Sequence, residues 1–231
     1  MHRHNRYIKI KIGIVVILAL VLIYLTATLD IFHRGSVQRL LAEERTSAHF
    51  KLYFIVVATV LLMFFIPLSW VSLSAAIFFG IEGAIIITIC SLLSGIISFG
   101  IARIFKEDVS RVVEKIYNRK KRKLTLDEIY SKVKRHGFGY VLFIRSMPII
   151  PFNICNLIFG ISFVPFMEFV FATFLSVFFG QGINIYFIHK ALNIGKAPRD
   201  TVVAAVIKGV YFLIILLWQK KSKYIVKDRK I

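Results

Sequence analysis

Between Gly137 and Ser162 the sequence reads GFGYVLFIRSMPIIPFNICNLIFGIS, an apolar stretch that nevertheless carries Arg145, Pro148, Pro151, Asn153 and Asn156. A guanidinium presents a planar fork of donors that fits a phosphate or a carboxylate, and the two amides can share the same headgroup. Placing an arginine in hydrocarbon costs roughly 2.5 to 3.5 kcal/mol on insertion scales. Each proline removes a backbone donor and breaks a helix that would otherwise run through. A broken segment with a buried cation survives in a bilayer only where other protein covers it or where it lines a wet cavity. Arg145 stands about eight residues into this segment, roughly 12 Å from its start by helical rise and too deep to snorkel easily. It reads as the anchor for an anionic headgroup. The competing reading is a structural tie to nearby carbonyls or to Glu168.

The elements that must position these groups are membrane helices. Of 231 residues 58% are hydrophobic and 22 are Phe, and the mean hydropathy of +0.75 is far from that of a soluble domain. The formal charge of +19 is concentrated between apolar runs and at both ends, which is topological information. Nucleic-acid binding is not expected, because neither a binding motif nor a soluble domain is present to carry it. Cys90 and Cys155 sit alone in apolar segments, offer no disulfide or zinc spacing, and read as small buried hydrophobes. With the six histidines scattered outside the apolar blocks, and no paired carboxylates or nucleophile within them, no enzyme, metal or cofactor is expected.

Residues 1–49 read as an uncleaved signal-anchor helix, Ile12 to Leu29, preceded by Arg3, Arg6, Lys9 and Lys11 and followed by an outer loop. Residues 50–105 read as a hairpin turning near Pro67, with one long kinked helix as the alternative, and then a span from Ala84 to Phe105. In that span Ser91, Ser94, Gly95 and Ser98 let another element approach closely. Residues 106–136 form a basic linker of two short amphipathic helices. The first carries Val109, Val112, Val113, Ile116 and Tyr117 on one stripe. The second starts with a capping box, Thr125 and Glu128, and ends with Gly137 as its C-cap. Between them Arg119, Lys120, Lys121, Arg122 and Lys123 suit an anionic membrane surface. Residues 137–190 hold the opening stretch as a second hairpin plus a span, Phe163 to Ile188, and 191–231 hold a last span, Thr201 to Trp218, with a basic tail.

If the basic N-terminus, linker and tail all stay in the cytoplasm, each half is one hairpin followed by one span, in opposite orientation. The expected fold is therefore an all-α polytopic membrane protein, an inverted repeat of re-entrant hairpin plus transmembrane helix flanked by terminal helices, lying in a bacterial plasma membrane. In transporters such paired interrupted helices locate the substrate site near the midplane. The residues expected to meet a headgroup are Pro67, Arg145, Pro148, Pro151, Asn153, Asn156 and Gly160. Glu82 and Glu168, each near the start of a span, read either as a proton relay or as solvated or paired carboxylates. Arg103, near the end of its span, reads as an interfacial anchor.

Over roughly Phe64 to Tyr186 the chain resembles the DedA superfamily, and more closely its VTT-domain branch, formerly called SNARE-associated. The resemblance rests on Pro67, Gly80, Gly83, Gly95, Phe99, Ala102 and Arg103, and above all on Gly137 through Arg145, Pro148, Pro151, Asn156 and Gly160. It implies two facing re-entrant loops and a role as scramblase or flippase for phospholipids or polyprenyl phosphates, with membrane lipids as partners and a homo-oligomer conceivable. DedA members proper tend to carry an acid in the first re-entrant loop and a second arginine after the motif's proline. Here Leu68, Ser69 and Trp70 follow Pro67, and Pro151 replaces that arginine, so a proton-coupled mechanism does not carry over. The alternative function is a non-transporting scaffold that recruits partners or anionic lipid through the basic linker.

Overall fold

The computed structural model describes residues 47–64, 66–117, 125–147 and 150–221, which are helical apart from short turns. The signal-anchor segment, the basic cluster Arg119 to Lys123, Pro148 and the end of the tail lie outside the described residues. The chain divides into two compact units, Met1–Val57 and Ala58–Ile231. Of the first, only the opening turns of helix α1 (Ala48–Met63) are described; the second carries the rest.

The two proline breaks fall where the sequence places them. Helix α1 stops at Met63, and α2 (Leu68–Phe79) starts directly after Pro67, whose ψ of 132° is extended. A 3₁₀ turn, Gly80–Glu82, leads into α3 (Gly83–Ile104). Gly80 adopts φ +57°, a conformation that L side chains avoid and glycine tolerates. The linker provides α4 (Lys106–Tyr117) and α5 (Leu126–Ser146), and the second break, at Pro151, precedes α6 (Phe152–Ile161). Two long helices follow, α7 (Phe166–Leu192) and α8 (Pro198–Lys221). Among the described residues three stretches are long and apolar enough to cross a membrane: Leu68–Ile104, Phe166–Leu192 and Pro198–Lys221.

Close contacts fix the helix directions. Gly95 lies beside Phe169 and Thr173 and Phe99 packs against Phe166 and Phe169, whereas the Gly80 turn meets His189; α3 and α7 are therefore antiparallel. Along α2, Ser72 meets Gln181 and Gly80 meets His189, so α2 runs parallel to α7 and folds back along α3. Along α6, Asn156 meets Gly95 and Gly160 meets Phe99 and Ala102, so α6 runs parallel to α3. The arrangement of α2 on α7 thus mirrors that of α6 on α3. The small residues of α3 permit it: Ser91, Ser94, Gly95 and Ser98 are among the residues that α3 buries.

The linker starts as the sequence predicts. Thr125 Oγ1 accepts from the Glu128 amide at 3.2 Å, and Glu128 Oε2 accepts from the Thr125 amide at 2.9 Å. Gly137 ends the first helical arm, as the sequence predicts. It sits at φ +48°, ψ −127°, which is not helical, and a second arm begins directly after it, so α5 is two helices joined at a kink. The linker helices, suited by sequence to a membrane surface, turn part of their apolar stripes toward protein. Val113 and Tyr117 of α4, and Ile129 and Val133 of α5, are buried in one protein core with Tyr140, Phe143 and Ile144, so their apolar stripes cover protein. Burial, with Glu114 and Asp127 nearby, pushes the Tyr130 phenol on this linker up to about 12.

Candidate functional site

Arg145 is the penultimate residue of α5, placed by the kinked arm that Gly137 redirects. Its Nη2 donates to Asn156 Oδ1 at 2.5 Å. Its guanidinium carbon lies 4.7 Å from the ring centre of Phe169, 5.1 Å from that of Phe152 and 5.7 Å from that of Phe159. Each such ring contact contributes about 0.5–2 kcal/mol. Yet Nε and Nη1 are buried with no hydrogen-bond partner among the described residues. A buried donor left unpaired costs about 1–3 kcal/mol, and more when it is charged. Arg145 is thus held in an aromatic cage with two nitrogens still to be satisfied.

The two breaks meet directly. Asn153, in the first turn of α6, donates from Nδ2 to the carbonyl of Ile66 at 3.4 Å, next to Pro67. Asn153 Oδ1 and Asn156 Nδ2 are also buried without a partner among the described residues. Against this junction lies a cavity of about 1210 Å³ whose wall includes Pro67 and Ser69 from the first break and Arg145, Pro151 and Asn153 from the second. Gln181 and Asn184 of α7 and Lys208 of α8 add to its polar lining with Ser146, Ser176 and Tyr211, and the remainder is largely apolar. An acyl chain and a polar headgroup would each find matching surface there.

The other sequence-derived residues are placed elsewhere. Asn156 stands behind Arg145 as its hydrogen-bond partner, not on the cavity wall. Gly160 is buried against Phe99 and Ala102, where α6 touches α3. Glu168 does not pair with Arg145. Its carboxylate rests against Gly137, and Oε2 is buried with no partner among the described residues. Glu82 is exposed in the turn at the far end of α3, so neither acid joins the cavity. Arg103 stays exposed but is more than an anchor, since Nη1 donates to the carbonyl of Ser162 at 3.0 Å and Nη2 to that of Val164 at 3.1 Å. Where α7 gives way to α8, Lys190 donates to Asp200 at 2.7 Å.

Sequence reasoning missed Lys208. The signal was available, since it is the one charged residue between Thr201 and Trp218 and a mid-span lysine costs roughly 2.5–3.5 kcal/mol on insertion scales. In the structure Nζ donates to Asn184 Oδ1 at 2.9 Å and lies 4.3 Å from the ring centre of Phe187.

Proline-broken helices meeting at a buried arginine, among helices apolar enough to span a bilayer, define a polytopic membrane protein built around an internal polar site. The VTT domain family matches residues 66–190, more than half of the chain, and the chain belongs to this family of DedA/SNARE-associated membrane proteins. Its members are commonly linked to membrane lipid handling. Searches of curated proteins and of solved structures returned no match.

Proposed function

We propose that the protein is a lipid translocase, a scramblase or flippase that shelters a phospholipid or polyprenyl-phosphate headgroup in the cavity while the acyl tails stay in the bilayer. The observation that carries this reading is Arg145, a cavity-lining residue caged by three aromatic rings, with Nε and Nη1 unpaired among the described residues. Carrying a charged headgroup through hydrocarbon leaves it unpaired, and a guanidinium with vacant donors offsets part of that cost. In this reading the segments around Pro67 and Pro151 are re-entrant hairpins of an inverted repeat. The two parallel pairs, α2 with α7 and α6 with α3, run in opposite directions and support it, as does the lodging of Gly137 beside Glu168 and of Gly160 beside Phe99, at the same end of the α3–α7 pair. The charge pattern supports termini on the cytoplasmic side of a bacterial plasma membrane.

Proteoliposomes carrying fluorescent lipid test the proposal. The parent should speed transbilayer movement over empty vesicles for at least one lipid class, and Arg145→Ala should abolish the gain. No acceleration by the parent across several classes rejects the function. Equal rates for parent and Arg145→Ala reject the site.

A further inference from the structure

Helix α8 lies outside the residues matched by the family, yet it carries the second cation of the cavity. Lys208 is the eleventh residue of α8, roughly 15 Å along it by helical rise, near the middle of the span. Its one hydrogen bond among the described residues goes to Asn184, a neutral acceptor that positions the ammonium without neutralising it. Asn184 is in turn held to Gln181, whose Oε1 lies 3.4 Å from Asn184 Nδ2 and 2.8 Å from Ser72 Oγ. A polar ladder therefore runs from α2 across α7 to the lysine on α8.

The charge balance of the cavity is one-sided. Arg145 and Lys208 both line it, and its described wall contains no Asp or Glu. Two cations without a carboxylate on the described wall leave the groove with a net positive charge, which a low-dielectric setting screens little. A ligand of net negative charge removes that imbalance, whereas a zwitterionic headgroup brings its own ammonium into it.

We infer that Lys208 is a second anion-binding group of the groove and makes it select phosphate-bearing ligands of net negative charge over zwitterionic ones. This rests on the proposed function only in taking the groove to admit a headgroup. From there Asn184 is a positioning residue, and Lys208 with Arg145 meets the anion from a separate element of the fold.

Equilibrium binding to the purified full chain in neutral detergent tests it without requiring transport. The probes are dihexanoyl phosphatidylglycerol and dihexanoyl phosphatidylcholine. Lys208→Gln keeps a donor for Asn184 and loses only the charge, and Lys208→Arg keeps the charge. The parent is expected to prefer the glycerol lipid. Lys208→Gln should weaken that lipid about tenfold, the low end for a hydrogen bond to a charged group, leave the choline lipid unchanged, and be rescued by Lys208→Arg. Inorganic phosphate displacing the glycerol lipid at equal concentration would assign the site to a soluble anion, and no displacement would assign it to a lipid; both keep Lys208 as an anion site. Lys208→Gln binding the glycerol lipid as the parent does, or weakening both lipids alike, overturns the inference. Lysine-dependent selectivity in a chain that moves no lipid in vesicles would reject the translocase and leave this assignment standing.

Discussion

A methyl group added to Gly160 would stand 2.6 Å from the Ala102 side chain, 2.7 Å from the Phe99 carbonyl oxygen and 3.1 Å from Phe99 Cα. Two of these atoms are backbone of α3 and cannot swing aside. Gly160→Ala must therefore push α6 off α3 by roughly 1 Å to restore ordinary contact near 3.5 Å. Overpacking of that kind costs about 1–3 kcal/mol, against at most about 1 kcal/mol gained by replacing glycine in a helix. With the full helix gain the net loss is about 0–2 kcal/mol, and against a control that carries the same gain the loss is about 1–3 kcal/mol. Gly100, on α3, provides the internal control, because nothing lies within 4 Å of a methyl group added there; Gly100→Ala should be neutral or mildly stabilising. Thermal unfolding of the purified chain in detergent reads both, at roughly 2–4 °C per kcal/mol for a chain of this length. Equal midpoints for the two variants would refute the packing argument. So would a Gly160→Ala protein of parental stability that binds lipid poorly, since Gly160 would then be serving the ligand and not the helix contact.

Two further substitutions probe the frame around the site. Arg103→Met removes the donors that hold the Ser162 and Val164 carbonyls and should lower stability by about 1–2 kcal/mol, seen as a lower unfolding midpoint that Arg103→Lys partly restores. Gly137→Ala forces a side chain into φ +48°, ψ −127° and sets it 2.6 Å from Glu168 Oε2, so it should cost about 1–3 kcal/mol from the backbone alone. Adding Glu168→Ala should recover the contact part of that loss and not the backbone part, which a double-mutant cycle on unfolding midpoints separates.

Much of the frame was legible because its causes are local. A proline breaks a helix interior and is tolerated only at its start, and the breaks at Pro67 and Pro151, each just before a new helix, follow. The Thr125 capping box needs only residues three apart, and the small residues of α3 announce a close neighbour. What was not legible depends on partners distant in sequence. Nothing in the pattern around Glu168 says that it rests on Gly137, 31 positions earlier, and not on Arg145. Gly160 reads from the sequence as a binding residue because it follows the motif, and its close approach to Ala102 and Phe99 of α3 is visible only in the fold. Amphipathic stripes in the linker matched a membrane surface equally well, and only the fold shows that protein covers Val113 and Ile129.

The two arginines of the apolar blocks separate structural from functional use of the same side chain. Arg103 lies beside the turn between α6 and α7, and its terminal nitrogens Nη1 and Nη2 both reach carbonyls that the turn leaves without helical partners. It is satisfied by the fold, and an added anion would have to compete with those carbonyls. Arg145 is more deeply enclosed, yet it receives one side-chain acceptor, and two of its nitrogens remain unpaired among the described residues. At the first break the carbonyl of Ile66 goes to Asn153, and Arg145 is among the residues that line the cavity with Lys208. The fold closes the terminal hydrogen bonds of one arginine and leaves two nitrogens of the other open among the described residues, and this contrast is what favours the proposed ligand role of Arg145 over a purely structural one.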